Sequence, residues 1–209
     1  PFTYQYHEHD YMDEMMLVNV SQSGCSTNII DCAIFEKKLG KKVISLVGRD
    51  DNDLKNYSDL CLNWGIETEK IGYSTMGVVT LTAFLMLFSL EVAINTNKID
   101  INEYNLVIDN MKKAMKLHKE ITENTIKIFN NDPNRFIEAK RMYLISSGYN
   151  MGTVVEGALK IAETSCITCL GLEVEEYLHG PIYPLGPDAM LIFIDNNDDP
   201  SSNRLNAIA

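Results

Sequence analysis

The sequence predicts an α/β protein made of two parallel-sheet units that a helical linker joins. Residues 43–47 form a continuous apolar run, which is typical of a strand that a parallel sheet buries on both faces. Between residues 16 and 47, a strand, a polar turn, a helix, a glycine and a second strand follow one another within roughly thirty residues, the size of one βαβ unit. The same alternation starts again at Met142, after a long charged segment.

The first unit is predicted to contain a helix between its first two strands. The Ser-Gln-Ser-Gly sequence at 21–24 ends the first strand, and apolar residues at helical spacing follow it. Lys37 and Lys38 complement the dipole at the end of this helix, and Gly40 supplies a left-handed cap. The predicted strands of this unit lie at 16–20, 43–47 and 59–63.

An apolar segment at 77–94 raises the question of a membrane. It carries one charge, Glu91, and lies at the lower length limit for a membrane-spanning helix. Thr80, Thr82 and Ser89 weaken that interpretation, and no basic cluster flanks either end. We therefore expect a helix that is buried in a large α/β core or at a subunit interface, and no membrane partner.

The second unit follows a charged amphipathic segment at 102–130, which predicts a helical connector closed by Asp132 and Pro133. The predicted elements of this unit are strands at 142–145, 167–172 and 189–194 and a helix at 152–165. We place the first unit at 1–101, the linker at 102–134 and the second unit at 135–209. Each unit is short for a complete doubly wound domain, so we expect segments to be missing at both ends.

Composition and cysteine content limit the class of protein. The chain has 209 residues, is 45% hydrophobic and carries a formal net charge of −11, which indicates a globular protein that does not bind nucleic acid by general electrostatics. Five cysteines without a secretory leader indicate reduced thiols in the cytosol. Cys166 and Cys169 form a C-x-x-C pair without a second pair to complete a zinc site, so we expect them to be small buried residues. His7 and His9 have no evident third ligand, and we expect neither metal nor cofactor.

The loop between the first strand and the first helix is a candidate anion site. Ser21, Ser23 and Ser26 offer hydroxyl groups beside a glycine and the free N–H groups of a helix start, which together can bind a phosphate without a lysine. Alternatively, Ser26 or Thr27 caps the helix and has no further role. Ser74, just before the apolar helix, repeats the arrangement more weakly.

The helix at 152–165 and the turn beyond it carry the candidate acid–base residues. Glu156, Lys160 and Glu163 fall within about 60° on one helical face. They form either a solvated edge or one wall of a cleft, where Lys160 would keep Glu163 ionised as a base. His179 precedes Gly-Pro at a turn, so its ring can reach a cleft and exchange protons near neutral pH. Alternatively, it is an ordinary surface histidine.

These motifs, in their order along the chain, resemble the sugar isomerase (SIS) domain family. Residues 21–24 resemble its phosphosugar-binding loop, and residues 156–163 and 176–181 resemble the second SIS domain of double-domain enzymes. Such enzymes include the isomerase half of glucosamine-6-phosphate synthase and the fructosamine-6-phosphate deglycases. The resemblance runs from about residue 16 to 195 and implies two flavodoxin-like parallel α/β sandwiches in a homodimer.

The resemblance also implies roles for individual residues. The residues that it assigns to the substrate phosphate and the adjoining sugar are Ser21, Gln22, Ser23, Ser26 and Ser74. Glu163 would move a proton between C1 and C2, and Lys160 would support it. His179, contributed across the dimer interface, would open the sugar ring. Cys25 replaces an acidic residue that is common in the family's loop.

The expected function is that of a cytoplasmic phosphosugar isomerase, which interconverts ketose and aldose (or amino-sugar) 6-phosphates through an enediol or enaminol. No amidotransferase domain accompanies the motifs, so a glutamine-dependent synthase is not expected. Three alternatives remain. They are a fructosamine-6-phosphate deglycase, a sugar-phosphate sensor without catalysis, and a structural scaffold with incidental motifs.

Overall fold

The computed structural model describes residues 16–66, 69–195 and 200–209. Within these ranges the fold is α/β, as predicted, and its two three-stranded sheets contain parallel strand pairs. The chain separates into two compact units, residues 1–107 and 108–209. The helix Ile101–Asn131 runs across this division. The domain limits at 101 and 134 therefore stay a prediction.

The first unit is built on a parallel sheet whose strands follow chain order. The strands are β1 (Val18–Ser21), β2 (Ile44–Val47) and β3 (Leu60–Asn63). The register pairs Ser21 with Val47 and Val47 with Asn63, so the loops after the three strands leave the same edge of the sheet. The strands predicted for this unit are confirmed, with small shifts at their ends.

The first helix, α1 (Thr27–Lys38), lies between β1 and β2 in the chain and helps to form the core of this unit. Its Ala33 is fully buried and belongs to one apolar cluster with Val47 and Leu54, the latter from a short 3₁₀ turn. The predicted end of the helix is confirmed. Gly40 has a φ of +71°, a left-handed conformation that glycine adopts without strain.

The apolar segment forms the helix α2 (Met76–Asn95), which has the length and composition of a membrane span. The expectation that it is buried in an α/β core is wrong for the part of the chain described, because only 6% of its apolar window is buried. Val79, for example, is 67% exposed. The alternative expectation, a helix covered at a subunit interface, stays a prediction. Length and composition alone do not assign it to a membrane.

The second unit repeats the α/β arrangement around a parallel sheet with the order β5-β4-β6. Its strands are β4 (Arg141–Ser146), β5 (Thr168–Glu173) and β6 (Ala189–Phe193). The helices from the linker onward are α3 (Ile101–Asn131), α4 (Pro133–Ile137), α5 (Met151–Ser165), α6 (Val174–Leu178) and α7 (Ser202–Ile208). A Cβ on Gly171 would lie 2.8 Å from the carbonyl oxygen of Val154, so glycine permits the close approach of α5 to β5.

The expectation that both cysteines of the C-x-x-C pair are buried is wrong. Cys166 is exposed at the end of α5 with a φ of 54°, and Cys169 is half-buried in β5. Burial raises the pKa of the Cys169 thiol. All five cysteines are free thiols. Cys166 is exposed because α5 ends at Ser165, so that Cys166 lies in the turn between α5 and β5 and not within β5.

Candidate functional site

The loop between β1 and α1 is folded by its own serine hydroxyl groups. Gly24 has a φ of +65°, and its N–H donates to Ser21 Oγ at 3.1 Å. The Cys25 N–H donates to Ser23 Oγ at 3.2 Å, and the Ser21 hydroxyl donates to Ser26 Oγ at 3.3 Å. These bonds hold three hydroxyl groups in one tight turn between the carboxyl end of β1 and the positive end of α1.

Ser26 directly precedes α1, but its side chain does not cap the helix. It lies at the N-cap position with extended backbone and makes no side-chain hydrogen bond to the first turn. Thr27 is already the first helical residue. The capping alternative for Ser26 is therefore wrong. Because its Oγ accepts a bond from Ser21, Ser26 keeps its own hydroxyl proton for a ligand.

All five residues predicted to bind the phosphate and the adjoining sugar line one cavity. They are Ser21, Gln22, Ser23, Ser26 and Ser74. The cavity has a volume of about 550 Å³, within the usual range of small-molecule sites. It also contains Arg49, Glu69 and Tyr73. The first unit thus brings together residues from separate segments of the chain, and their role as ligands stays a prediction.

Ser74 is connected to the loop through Gln22. The Ser74 hydroxyl donates to Gln22 Oε1, and Gln22 Nε2 donates to Glu69 Oε1 at 3.4 Å. The Gln22 amide lies directly against the start of α2. A Cβ on Gly77 would overlap this amide, with Nε2 only 2.7 Å away. Glycine at position 77 therefore leaves the space that Gln22 occupies.

Glu69 is a site residue that the sequence analysis missed. Its Oε1 accepts the N–H of Thr75 at 2.8 Å and of Gly77 at 2.9 Å, and its Oε2 accepts the Thr75 hydroxyl at 3.1 Å. These bonds, with that from the Gly77 N–H the strongest cause, lower the pKa of the Glu69 carboxyl. The carboxylate caps the positive end of α2. Glu69 lies six residues before Thr75, the N-cap of α2, which is outside the positions that helix-start patterns mark, so no local signal could have revealed it.

Arg49 is the second residue that the sequence analysis missed. Its Nε donates to the Ser23 carbonyl oxygen at 3.1 Å, and its Nη2 lies 3.4 Å from Cys25 Sγ. Within the described ranges, no carboxylate pairs with this guanidinium. The available signal was topological. A residue just after β2 must lie near the loop after β1, because parallel strands end at the same edge.

The charged stripe predicted on α5 is confirmed. Lys160 Nζ lies 2.7 Å from Glu163 Oε2 and 3.3 Å from Glu156 Oε1. The Lys160 side chain is 23% exposed, and its hydrogen bond to Glu163 is the main cause that raises the pKa of its ammonium group. The opposite face of α5 is buried through Val154 and Ala158. The stripe therefore presents a protonated amine between two carboxylates.

His179 lies at the C-terminal end of α6 and is exposed. Tyr177, which is 2% exposed, anchors α6 in the core of the second unit. Arg204 of α7 donates to both carboxylate oxygens of Glu175, at 2.6 and 3.1 Å. No hydrogen bond joins His179 to Glu163 among the described residues. The resemblance assigns this histidine to the partner protomer, so a bond within one chain was not expected.

The described residues contain no group of three or more His, Cys, Asp or Glu side chains that could hold a metal ion. His7 and His9 lie outside these residues.

Comparisons with curated sequences relate the chain to one group of enzymes. It is 27% identical over 205 residues to the glutamine–fructose-6-phosphate aminotransferase [isomerizing] of Cyanidium caldarium, covering 93% of this chain and 32% of that protein. It is also 27% identical over 179 residues to the same enzyme of Thermotoga maritima, covering 83% of this chain and 28% of that protein. The chain thus spans about a third of the length of these relatives. No family model matches it.

Solved structures with similar folds include a candidate phosphosugar isomerase from Clostridium difficile 630, with a TM-score of 0.82, 24% identity, and coverage of 91% of this chain and 55% of that chain. The C-terminal domain of glucosamine-fructose-6-phosphate aminotransferase from Francisella tularensis gives a TM-score of 0.75 at 21% identity, covering 95% and 57%. Tagatose-6-phosphate ketose/aldose isomerase from Escherichia coli gives a TM-score of 0.62 at 14% identity, and the match covers 90% of this chain and 50% of that chain. At these identities the likeness shows the fold.

Proposed function

We propose that the chain belongs to the sugar isomerase (SIS) family and is part of a phosphosugar isomerase that interconverts ketose and aldose 6-phosphates. The observation that carries this proposal is the cavity at the carboxyl end of β1, where the five predicted ligands meet. Hydroxyl groups and the positive end of a helix suit a phosphate monoester. The curated relatives are named for fructose 6-phosphate, which supports a hexose 6-phosphate as substrate.

The loop would bind the phosphate and leave the sugar directed toward Ser74. The hydroxyl groups of Ser23 and Ser26 donate to phosphate oxygens, while the Ser21 hydroxyl donates to Ser26 Oγ and so leaves the Ser26 proton for the ligand. The positive end of α1 stabilises the charge of the phosphate. Gln22 and Ser74 contact the sugar or the ester oxygen. In the first unit the serine loop would therefore provide the affinity for the phosphate, and the Gln22–Ser74 pair would orient the sugar.

Proton transfer would depend on α5 and α6. His179, from a second copy of the chain, donates a proton to the ring oxygen while the anomeric hydroxyl loses its proton to water. The ring opens to the free carbonyl form, and water returns a proton to His179. Glu163 then removes the proton from the carbon next to the carbonyl, which gives an enediol. The same carboxyl group returns the proton to the neighbouring carbon, so no proton is gained or lost overall. Lys160 Nζ, 2.7 Å from Glu163 Oε2, holds the carboxyl group of Glu163 in position.

A deglycase is the second candidate function. If the carbon that Glu163 deprotonates carries an amine, the product is an enaminol, and its imine tautomer is cleaved by water. One neighbour in fold is named glucosamine-6-phosphate deaminase, from Thermotoga maritima, with a TM-score of 0.73. That name refers to removal of nitrogen from a sugar phosphate, and this supports a deglycase as the second candidate function. A sensor without catalysis would bind the sugar phosphate and transfer no proton.

The architecture that fits this function has two SIS domains per chain and two chains per molecule. Each of the two parallel sheets would be the centre of one SIS domain. A homodimer would supply His179 across the interface. We also propose a cytosolic location, as the free thiols suggest, and neither nucleic acid nor a membrane as partner.

Proton NMR in D2O tests this proposal. With fructose 6-phosphate, glucose 6-phosphate and fructosamine 6-phosphates as substrates, the wild-type protein should exchange carbon-bound protons or release an amine. Glu163→Gln should slow exchange by about 10²- to 10⁴-fold, because it removes the base. Glu156→Gln is the matched control, since Glu156 also contacts Lys160 but is not the base. Exchange at the wild-type rate in Glu163→Gln would refute the assignment, and binding without any exchange in the wild type would indicate a sensor.

A further inference from the structure

We propose that Arg49 is the charged ligand of the phosphate group and makes the site selective for dianionic monoesters. This inference rests on the proposed function, because it takes the cavity at β1 as the phosphate site. Arg49 lines that cavity together with the three loop serines. The other charged residue in the lining, Glu69, is occupied by hydrogen bonds at the start of α2. Arg49 is therefore the cation of this cavity among the described residues.

The backbone around Arg49 is built to hold it against the loop. The Gly48 N–H donates to the Gln22 carbonyl oxygen at 3.0 Å. A Cβ on Gly48 would lie 2.9 Å from that oxygen, so a side chain there would push the two segments apart. Asn52 Nδ2 donates to the Arg49 carbonyl oxygen at 2.9 Å, and the Leu54 N–H donates to the Gly24 carbonyl oxygen at 2.9 Å. The turn that carries Arg49 and the serine loop are thus one connected structure.

The guanidinium of Arg49 is oriented but not neutralised. Nε donates to the Ser23 carbonyl oxygen and Nη2 contacts the sulfur of Cys25, which leaves Nη1 and part of Nη2 to donate elsewhere. Both contacts are to uncharged acceptors in the loop. A carboxylate at position 25 would take the place of Sγ beside Nη2 and pair with the guanidinium. With cysteine there, the positive charge remains directed at the cavity.

Charge at this position matters because the protein as a whole repels anions. The chain carries a formal net charge of −11, and serine hydroxyl groups discriminate little between ions of different charge. A phosphate monoester carries about −1.5 to −2 at pH 7, whereas a sulfate ester carries one negative charge. A guanidinium in contact with the anion favours the more highly charged ester. Arg49 therefore gives the site its preference for a phosphate over a sulfate.

Calorimetric titration with fructose 6-phosphate and with glucose 6-sulfate and glucose 6-phosphate tests this. Arg49→Gln should weaken binding of the 6-phosphates about tenfold, the effect of one charge-assisted hydrogen bond at an exposed site, and the 6-sulfate by less. Arg49→Lys should lie between Arg49→Gln and the wild type. The matched control is Lys55→Gln, since Lys55 is a nearby cation that does not line the cavity. Circular dichroism checks that each variant is folded.

A second variant tests the role of the same charge by placing a carboxylate next to the Arg49 guanidinium. Cys25→Asp should weaken 6-phosphate binding about as much as Arg49→Gln does, because its carboxylate pairs with the guanidinium and each change lowers the charge beside the cavity by one unit. The double variant lowers that charge by two units and should bind more weakly than either single variant. Unchanged phosphate affinity in Arg49→Gln, with a large loss in Ser23→Ala, would overturn the role of Arg49 and leave the phosphate site in place. Equal losses in Arg49→Gln and Lys55→Gln would also overturn it. Failure of the wild-type protein to bind any 6-phosphate would overturn the proposed function and this inference together.

Discussion

Gly77→Ala should impair the candidate site without unfolding the protein. Gly77 is the buried second residue of α2, and the Gln22 amide occupies the space that a Cβ would need. The atoms in conflict belong to the flexible end of a side chain, so Gln22 can rotate away while the helix stays intact. The Gly77 N–H to Glu69 bond, at 2.9 Å, does not involve the new methyl group. The cost of the substitution should therefore appear in binding and not in folding.

The size of the expected loss in binding free energy follows from the hydrogen bonds that Gln22 makes. Rotation of its amide breaks the hydrogen bond from Ser74 and the weak one to Glu69 at 3.4 Å. One good hydrogen bond contributes about 1 kcal/mol, and removal of the amide from a sugar phosphate costs a similar amount. We expect a loss of about 1–2 kcal/mol in binding, or roughly five- to thirtyfold in Kd. Alanine in place of glycine stabilises the helix by up to about 1 kcal/mol.

Gly152→Ala is the matched control, because Gly152 is also the second residue of its helix, α5, and a Cβ there meets no atom within 4 Å. Both variants should keep or raise the melting temperature. Only Gly77→Ala should raise the Kd for fructose 6-phosphate, measured by calorimetry. An unchanged Kd in Gly77→Ala would show that the position of Gln22 does not matter for the ligand. A large drop in melting temperature would show that α2 cannot tolerate the methyl group.

Two further predictions concern stability. Glu36 is 2% exposed and accepts a hydrogen bond from Asn19 Nδ2 at 3.0 Å, and burial raises the pKa of its carboxyl. A carboxyl whose pKa is raised by folding stabilises the native state below its ordinary pKa, and this contribution is lost as the pH rises through the folded value. Glu36→Gln should therefore raise the melting temperature at about pH 8 more than at about pH 4, and an equal or opposite difference would contradict this. Leu54→Ala, at a fully buried position, should lower the free energy of unfolding by about 2–5 kcal/mol in urea titrations, and a loss below about 1 kcal/mol would mean that the core around it collapses to fill the cavity.

Local patterns in the sequence predicted the elements and the stripe on α5 correctly. The strands of both units were found from continuous apolar runs, because a parallel sheet excludes water from both faces of its strands. The contact of Lys160 with Glu156 and Glu163 was found from helical spacing, since residues three and four positions apart share one face. In both cases the physical cause acts within a few residues of the chain.

Three features were not predictable in this way. Arg49 and Glu69 lie in segments that showed no motif, and they reach the cavity through sheet register and through capping of α2. The exposure of α2 was also missed. An apolar composition indicates that a helix packs against another apolar surface, but it does not identify that surface. The C-x-x-C pair was misjudged for a related reason, since the point at which α5 ends decides which cysteine is exposed.

The amino-acid sequence by itself determined the α/β class, the positions of the strands, the serine loop and the order of the candidate acid–base residues. Each of these depends on neighbours in the chain, such as apolar periodicity, helix-ending residues and motif spacing. Only the tertiary structure decided that Ser74 joins the loop through Gln22, that Gly77 leaves room for that amide, and that Arg49 adds a charge to the cavity. These contacts join segments that are 26 to 55 residues apart in the chain, and packing of a sheet and its loops, which no short stretch encodes, brings them together.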